Sequence, residues 1–251
     1  MARRATLLHH VRDGLPSGAP LVQVAGPYEF LEPGDAEAPA GSAGPMAAAL
    51  ARLAPDVLCL APEEAAMLSR AGLAPPPGAV VLSGAPQTRV LDRGGVRLGF
   101  VFFPVGAKPG AEPDAKARAA TVAAAREMRG AADLVVGVSP WGSMAEEAFL
   151  TANPDVFDVL LGAGHGFGTP AMPQPVPRTL WARAHTKGRT ISRLDIVLPV
   201  KKAGAPWLPG EDHQAELLNP DYTVPGDPDI AILGETPTVA ATTPKVTTAT
   251  P

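Results

Sequence analysis

The sequence predicts an α/β protein built as a sandwich, two mixed sheets packed face to face with helices outside. Three observations point there. Short apolar runs of strand length alternate with stretches at helical spacing, the pattern of a sheet covered by helices. Two of the runs flank Asp92-Arg93-Gly94-Gly95, a hairpin signal that adds antiparallel pairing and argues against a simple doubly wound sheet. Finally, 46% hydrophobic against 18% charged residues in a chain of 251 is enough apolar material for one large core. A single domain over 1–199 is expected, followed by an irregular linker or tail over 200–251 that is low in complexity from about 235.

Taken in order, residues 3–14 place Ala5, Leu7, Leu8, Val11 and Leu15 at helical spacing, with Gly14 as the stop. Leu-Val-Gln-Val-Ala after Pro20 reads as a strand ending at Gly26-Pro27, and a Gly, Ala and Pro-rich loop runs to about 45. A helix over 46–53 leads to the strand 57–60. The next helix starts at Pro62, where a missing N–H costs nothing, with Glu63 and Glu64 in its first turn. Strands follow at 80–82, 88–91 and 96–103, then an Ala-rich helix over 112–130. Residues 133–138 read as a strand, 143–151 as a helix and 157–161 as a strand. A Gly/Pro-rich loop covers 162–177, and strands at 178–184 and 190–198 are joined by a turn at Lys187-Gly188. No internal repeat is evident.

Net charge is -4 and the isoelectric point is near 5.7, which gives neither the basic footprint of a nucleic-acid binder nor a basic face for anionic membranes. Cys59 is the sole cysteine, so an intrachain disulfide and a cysteine-rich metal site are excluded. No stretch approaches the ~18 apolar residues of a membrane span. The N-terminus has the basic start of a signal peptide without an apolar segment behind it, so export is not expected, and the compartment stays open.

In open α/β folds, sites gather at the carboxyl ends of strands. Five such ends stand out: Gly26-Pro27-Tyr28-Glu29, Leu60-Ala61-Pro62-Glu63-Glu64, Ser139-Pro140-Trp141-Gly142, Gly162 to Phe167, and Ala184-His185-Thr186-Lys187-Gly188. Their residues Tyr28, Glu29, Glu63, Glu64, Trp141, His165, Phe167 and His185 are the candidate lining of a ligand cleft. The order and spacing of these turns resemble calcineurin-like metallophosphoesterases, in particular the 5′-nucleotidase and UDP-sugar hydrolase (UshA-like) branch. The resemblance covers roughly 3–198, with the first strand of that fold missing. It is carried by Gly95-Val-Arg-Leu-Gly-Phe-Val, Ala132-Asp-Leu-Val-Val-Gly-Val-Ser, Phe157-Asp-Val-Leu-Leu-Gly-Ala-Gly-His and Gly188-Arg-Thr-Ile-Ser-Arg-Leu-Asp.

The resemblance implies a phosphoester hydrolase with two divalent metal ions. The residues depart from that implication. Pro27 stands where the bridging Asp belongs, Pro62 and Glu63 replace an Asn-His pair, Pro140 replaces the His after Ser139, and Phe167 replaces the last His. Only His165 remains as a metal ligand, and a divalent site needs about three or four. Normal binding of the two metals is therefore not expected. The leading expectation is a module that has lost catalysis and binds a small phosphorylated ligand or a protein partner. A second is a fragment of a longer phosphoester hydrolase, or of a redox-type protein related to UshA-like selenoproteins, completed by an upstream segment.

A third reading makes Ser139 a nucleophile. Gly137-Val138-Ser139-Pro140-Trp141-Gly142 approximates a nucleophile elbow with its last glycine one residue late, and Asp158 and His165 follow in the order of an α/β-hydrolase triad. Bland alternatives accompany the others. His165 lies on a tight loop between glycines, and Glu63 and Glu64 suit a helix N-terminus. His185 is a turn residue near a strand end. His9 and His10 point to different helix faces, His213 in the weakly patterned tail is expected to be solvated, and the glycines 162, 164, 166 and 168 do not fit a dinucleotide fingerprint.

Overall fold

The computed structural model describes residues 1–35, 37, 41–106, 113–174, 178–199 and 205–234. In chain order these form α1 (Ala2–Asp13), β1 (Val24–Ala25), α2 (Ala43–Leu53), β2 (Val57–Leu60), α3 (Pro62–Arg70), β3 (Val80–Val81), β4 (Gln87–Arg93), β5 (Val96–Phe102), α4 (Ala115–Met128), β6 (Leu134–Ser139), α5 (Ser143–Ala152), β7 (Val159–Gly162), β8 (Thr169–Gln174), β9 (Thr179–Arg183), β10 (Ile191–Ile196), β11 (His213–Leu218) and the short α6 (Pro228–Ala231).

A six-stranded mixed sheet has the order β4-β5-β6-β7-β9-β8. Its four middle strands run parallel, and β4 and β8 close the two edges antiparallel. A parallel sheet β1-β2-β3 and an antiparallel hairpin β10-β11 complete the strands. Alternation along each strand decides which layer each side chain enters. Phe100, Phe102, Val136, Val138, Leu180 and Ala182 meet Val57 and Cys59 of β2, with Leu194 and Ile196 of β10 packed against them, in a core between the sheets. On the other face, Val101, Leu160 and Trp181 stand in one register row across Gly137 and pack under Ala125 and Met128 of α4 and Phe149 and Leu150 of α5. Leu58 and Leu60 turn outward onto Leu50 of α2 and Met67 and Leu68 of α3. The order is thus helices, sheet, sheet, helices, the expected αββα layering, but the second layer is a parallel sheet and a separate hairpin where a second mixed sheet was expected. Each fully buried Leu or Phe contributes about 1.5–3 kcal/mol to the fold.

Three further readings of the sequence change. Residues 169–174, expected in a loop, form β8. Pro170 and Pro173 hide it, because proline is confined to strand edges, and β8 is an edge. The segments 178–184 and 190–198 are not partners across Lys187-Gly188. β9 belongs to the large sheet, while β10 pairs with β11. The stretch after Pro199 supplies β11, the buried Trp207 and His213, and Ile230, which packs on Ala5, Ala49 and Leu53. The low-complexity end from 235 lies outside the described residues. In α1 the buried residues are Arg4 and Ala5, with Leu7, Leu8 and Val11 only half-buried, because Arg4 turns inward to an acid. Among the described residues no helix is long and apolar enough to cross a membrane.

Candidate functional site

The carboxyl ends of β1, β2, β6, β7 and β9 converge, and short polar ties join their loops. Tyr28, Ala61 and Ala163 pack together, so the loops after β1, β2 and β7 touch. Gly142 N–H donates to the Ala163 carbonyl (3.0 Å) and Ser143 N–H to that of His165 (2.9 Å), locking the β6 and β7 ends to each other. Gly142 and Gly164 make this approach feasible: both have positive φ, and a Cβ at Gly164 would meet the Pro140 carbonyl oxygen at 2.6 Å.

Glu64 organises the other layer. Its position at the third residue of α3 turns its carboxylate back onto Ala61 N–H (2.9 Å), and it also accepts from Tyr28 N–H (2.9 Å) and Phe30 N–H (2.7 Å). Burial outweighs these three bonds and pushes its pKa up to about 7. Tyr28 is buried with φ 72°, a left-handed conformation that costs a side-chain-bearing residue about 1–2 kcal/mol. Burial, then the Glu63 and Glu64 charges, raise its phenol well above the usual range. Cys59 lies below, fully buried, and burial pushes its thiol up.

A second buried organiser escaped the sequence reading. Arg183, at the end of β9, pairs with Glu146 of α5, and both side chains are within 1% of full burial. Arg183 Nη2 also donates to the carbonyls of Ala163 (3.1 Å), Gly164 (3.2 Å) and His165 (3.0 Å). Trp181 Nε1 donates to Glu146 at 3.0 Å. Burial raises the Glu146 pKa, against the pull of Arg183. One signal for this cluster was present: an arginine inside an apolar strand needs a carboxylate partner somewhere in the fold.

The cleft candidates therefore meet at one end of the sandwich in very different states. Glu29 is buried against Arg4 of α1. Trp141 donates to the Pro104 carbonyl (2.6 Å) and packs on Phe103 and Phe149, as a core aromatic. Glu63 is half-buried, with Oε2 shielded from solvent. His165 is exposed, and Phe167 is 85% exposed. His185 accepts from Gly168 N–H through Nε2 (3.2 Å) and faces Thr190 through Nδ1 (3.2 Å). Ser139 is fully buried, its Oγ accepting from Trp141 N–H (3.1 Å) and lying against Glu146. Asp158 precedes β7 at the opposite end of the sheet, bonded to Arg129 and to Val135 N–H (2.7 Å). The structure thus does not bring Ser139, Asp158 and His165 together. His9 lies beside Asp227 (3.4 Å).

Among the described residues, no group of three or more His, Cys, Asp or Glu side chains is placed to hold a metal ion. The donors present do not fit a two-metal centre. An open cavity of about 430 Å³ lies elsewhere, lined by Arg12, Ser17, Gln23 and Asp56 at the amino ends of β1 and β2. Its position away from the convergent loops, and its open, shallow form, leave the strand-end face as the candidate site.

No protein-family model matches the chain, and no curated protein does. Among solved structures it is similar to a candidate 5′-nucleotidase from Staphylococcus aureus, determined in complex with alpha-ketoglutarate. The TM-score is 0.58 at 14% identity, covering 93% of this chain and 51% of that one. This chain therefore spans about half the length of that protein. At such identity the likeness is one of architecture, and it agrees with the layer order above: this chain has a mixed α/β fold of several sheets with flanking helices, like that neighbour.

Proposed function

We propose that this chain is a 5′-nucleotidase-like fold that has lost two-metal phosphoester hydrolysis and serves as a binding module for a small phosphorylated ligand or a protein partner at its strand-end face. One observation carries the reading. The buried carboxylates are committed to internal donors: Glu29 to Arg4, Glu64 to three backbone N–H groups, Glu146 to Arg183 and Trp181, and Asp158 to Arg129 and Val135. A hydrolytic metal pair needs several carboxylate or imidazole donors free to ligate. Here the sequence has Pro27, Pro62, Pro140 and Phe167 at the strand ends, and the acids near them hold the fold together. The accessible rim includes His165, Phe167 and Met144.

The test is metal analysis of the purified chain after incubation with Mn²⁺ or Zn²⁺, combined with assays on a nucleoside monophosphate and an aryl phosphate. Substoichiometric metal and no turnover above buffer are expected. Two tightly held ions per chain together with hydrolysis would overturn the reading.

A further inference from the structure

The segment after β9 crosses the strand-end face and is tied to loops from both layers. On the side of the large sheet, Gly168 N–H donates to His185 Nε2 (3.2 Å). On the other side, Lys187 N–H donates to the Tyr28 carbonyl at 2.7 Å. Thr186 Oγ1 and Arg189 both donate to Glu32, and Lys187 Nζ lies 3.8 Å from Glu32 and 3.9 Å from Asp35. A local knot closes the segment on itself: His185 N–H and Nδ1 both meet Thr190 Oγ1, at 2.9 and 3.2 Å.

We infer that residues 184–190 form a strap that closes the strand-end face by clasping the 27–35 loop through Glu32, and that it swings as one unit while that loop stays in place. The proposal deepens the binding role given above, as the device that admits a ligand or partner to the face. Two contrasts support it. The ties of the 27–31 loop to the body are buried, since Glu64 is wholly buried and holds Tyr28 and Phe30 by their N–H groups. The ion pairs that tie that loop to the strap are wet. The Glu32, Lys187, Asp35 and Arg189 side chains are 31%, 33%, 50% and 61% exposed, and such ion pairs are screened and individually weak. The weaker side gives way first. The strap is also bent against its preference, because Lys187 has φ 58° beside Gly188 at φ 59°, the left-handed region that a side-chain-bearing residue occupies only where its surroundings hold it. At Gly188 a Cβ would run into the Arg4 guanidinium, which leaves glycine as the residue that fits.

Hydrogen exchange of the free full-length chain, read by mass spectrometry with fragmentation to single amides, tests this without any ligand. In Glu32→Gln the Lys187 amide should exchange roughly threefold to fivefold faster, with Thr186 and Arg189 rising alongside it. The Tyr28 and Phe30 amides, and those of β6, should keep their wild-type rates. An unchanged Lys187 amide in Glu32→Gln overturns the clasp. An equal rise at Tyr28 and Phe30 overturns the strap as the moving part. Because neither metal nor substrate enters the measurement, its failure is separate from failure of the binding role.

Discussion

Glu64 shows how one residue can look like chemistry in a sequence and turn out to organise backbone. As one of two acids at a strand end it is a candidate cleft carboxylate, while its place in the first turn of α3 equally suits a helix dipole. The structure makes it the common acceptor for three N–H groups from two loops. Its buried carboxyl titrates near 7 instead of the ordinary 4.5. Between those values the folded chain holds a proton that the unfolded chain has released. Stability therefore falls as pH rises from about 4.5 to about 7 and levels off above, by about 3 kcal/mol for this group. Urea denaturation at pH 5 and pH 7.5 should show that loss in the wild type and a clearly smaller one in Glu64→Gln. Equal losses in both proteins would assign the slope to another group. Tyr28 and Arg183 lie beyond sequence reasoning for a related reason. A left-handed φ and an ion pair across 37 residues are properties of assembled loops.

At the scale of elements, the long, strongly patterned pieces were legible and the edges were not. Residues 57–60 and the Pro62 start of α3 fall where periodicity and proline chemistry place them, because a strand buried on both faces and a helix N1 proline are local signals. β8 was hidden by its prolines, and β11 by polar residues, of which Gln214 and Glu216 face solvent. The contact of α4 with the sheet depends on a missing side chain. Gly99 of β5 lies under Met128, and a Cβ there would stand 2.7 Å from the Ala132 Cβ. Gly99→Ala should cost about 1–3 kcal/mol by overpacking, measured by urea denaturation. A change under about 0.5 kcal/mol would mean that α4 shifts freely on the sheet.

For the molecule as a whole, the sandwich depends on residues that carry little pattern of their own. Among the described residues β10 has its only strand partner in β11, Trp207 fills the core between the sheets, and Ile230 seats against α1 and α2. A chain cut after Pro199 loses all three. It should lose its cooperative thermal transition, or unfold at least 10 °C lower (on the order of 2–4 °C per kcal/mol at this size), as followed by circular dichroism. An unchanged midpoint would show that the domain is complete at 199, the boundary that composition suggests. The same scale explains why the candidate face resisted reading. Five strand ends could be picked out one by one, but whether their acids point to solvent or to a buried partner depends on the packing of both layers.

By itself the sequence determined the class of fold and the order of its main strands and helices. Both are written in local features: hydrophobic period and turn residues. The tertiary structure alone decided that Glu29, Glu64, Glu146 and Asp158 are occupied by internal donors, that Trp207 and Ile230 belong to the core, and that 184–190 cross the face. These facts rest on pairs far apart in the chain, such as Arg189 and Glu32, 157 residues apart, and Ile230 and Ala5, farther still. No local pattern encodes such a pair, because its energy exists only once the layers have brought the two groups together and removed the water between them.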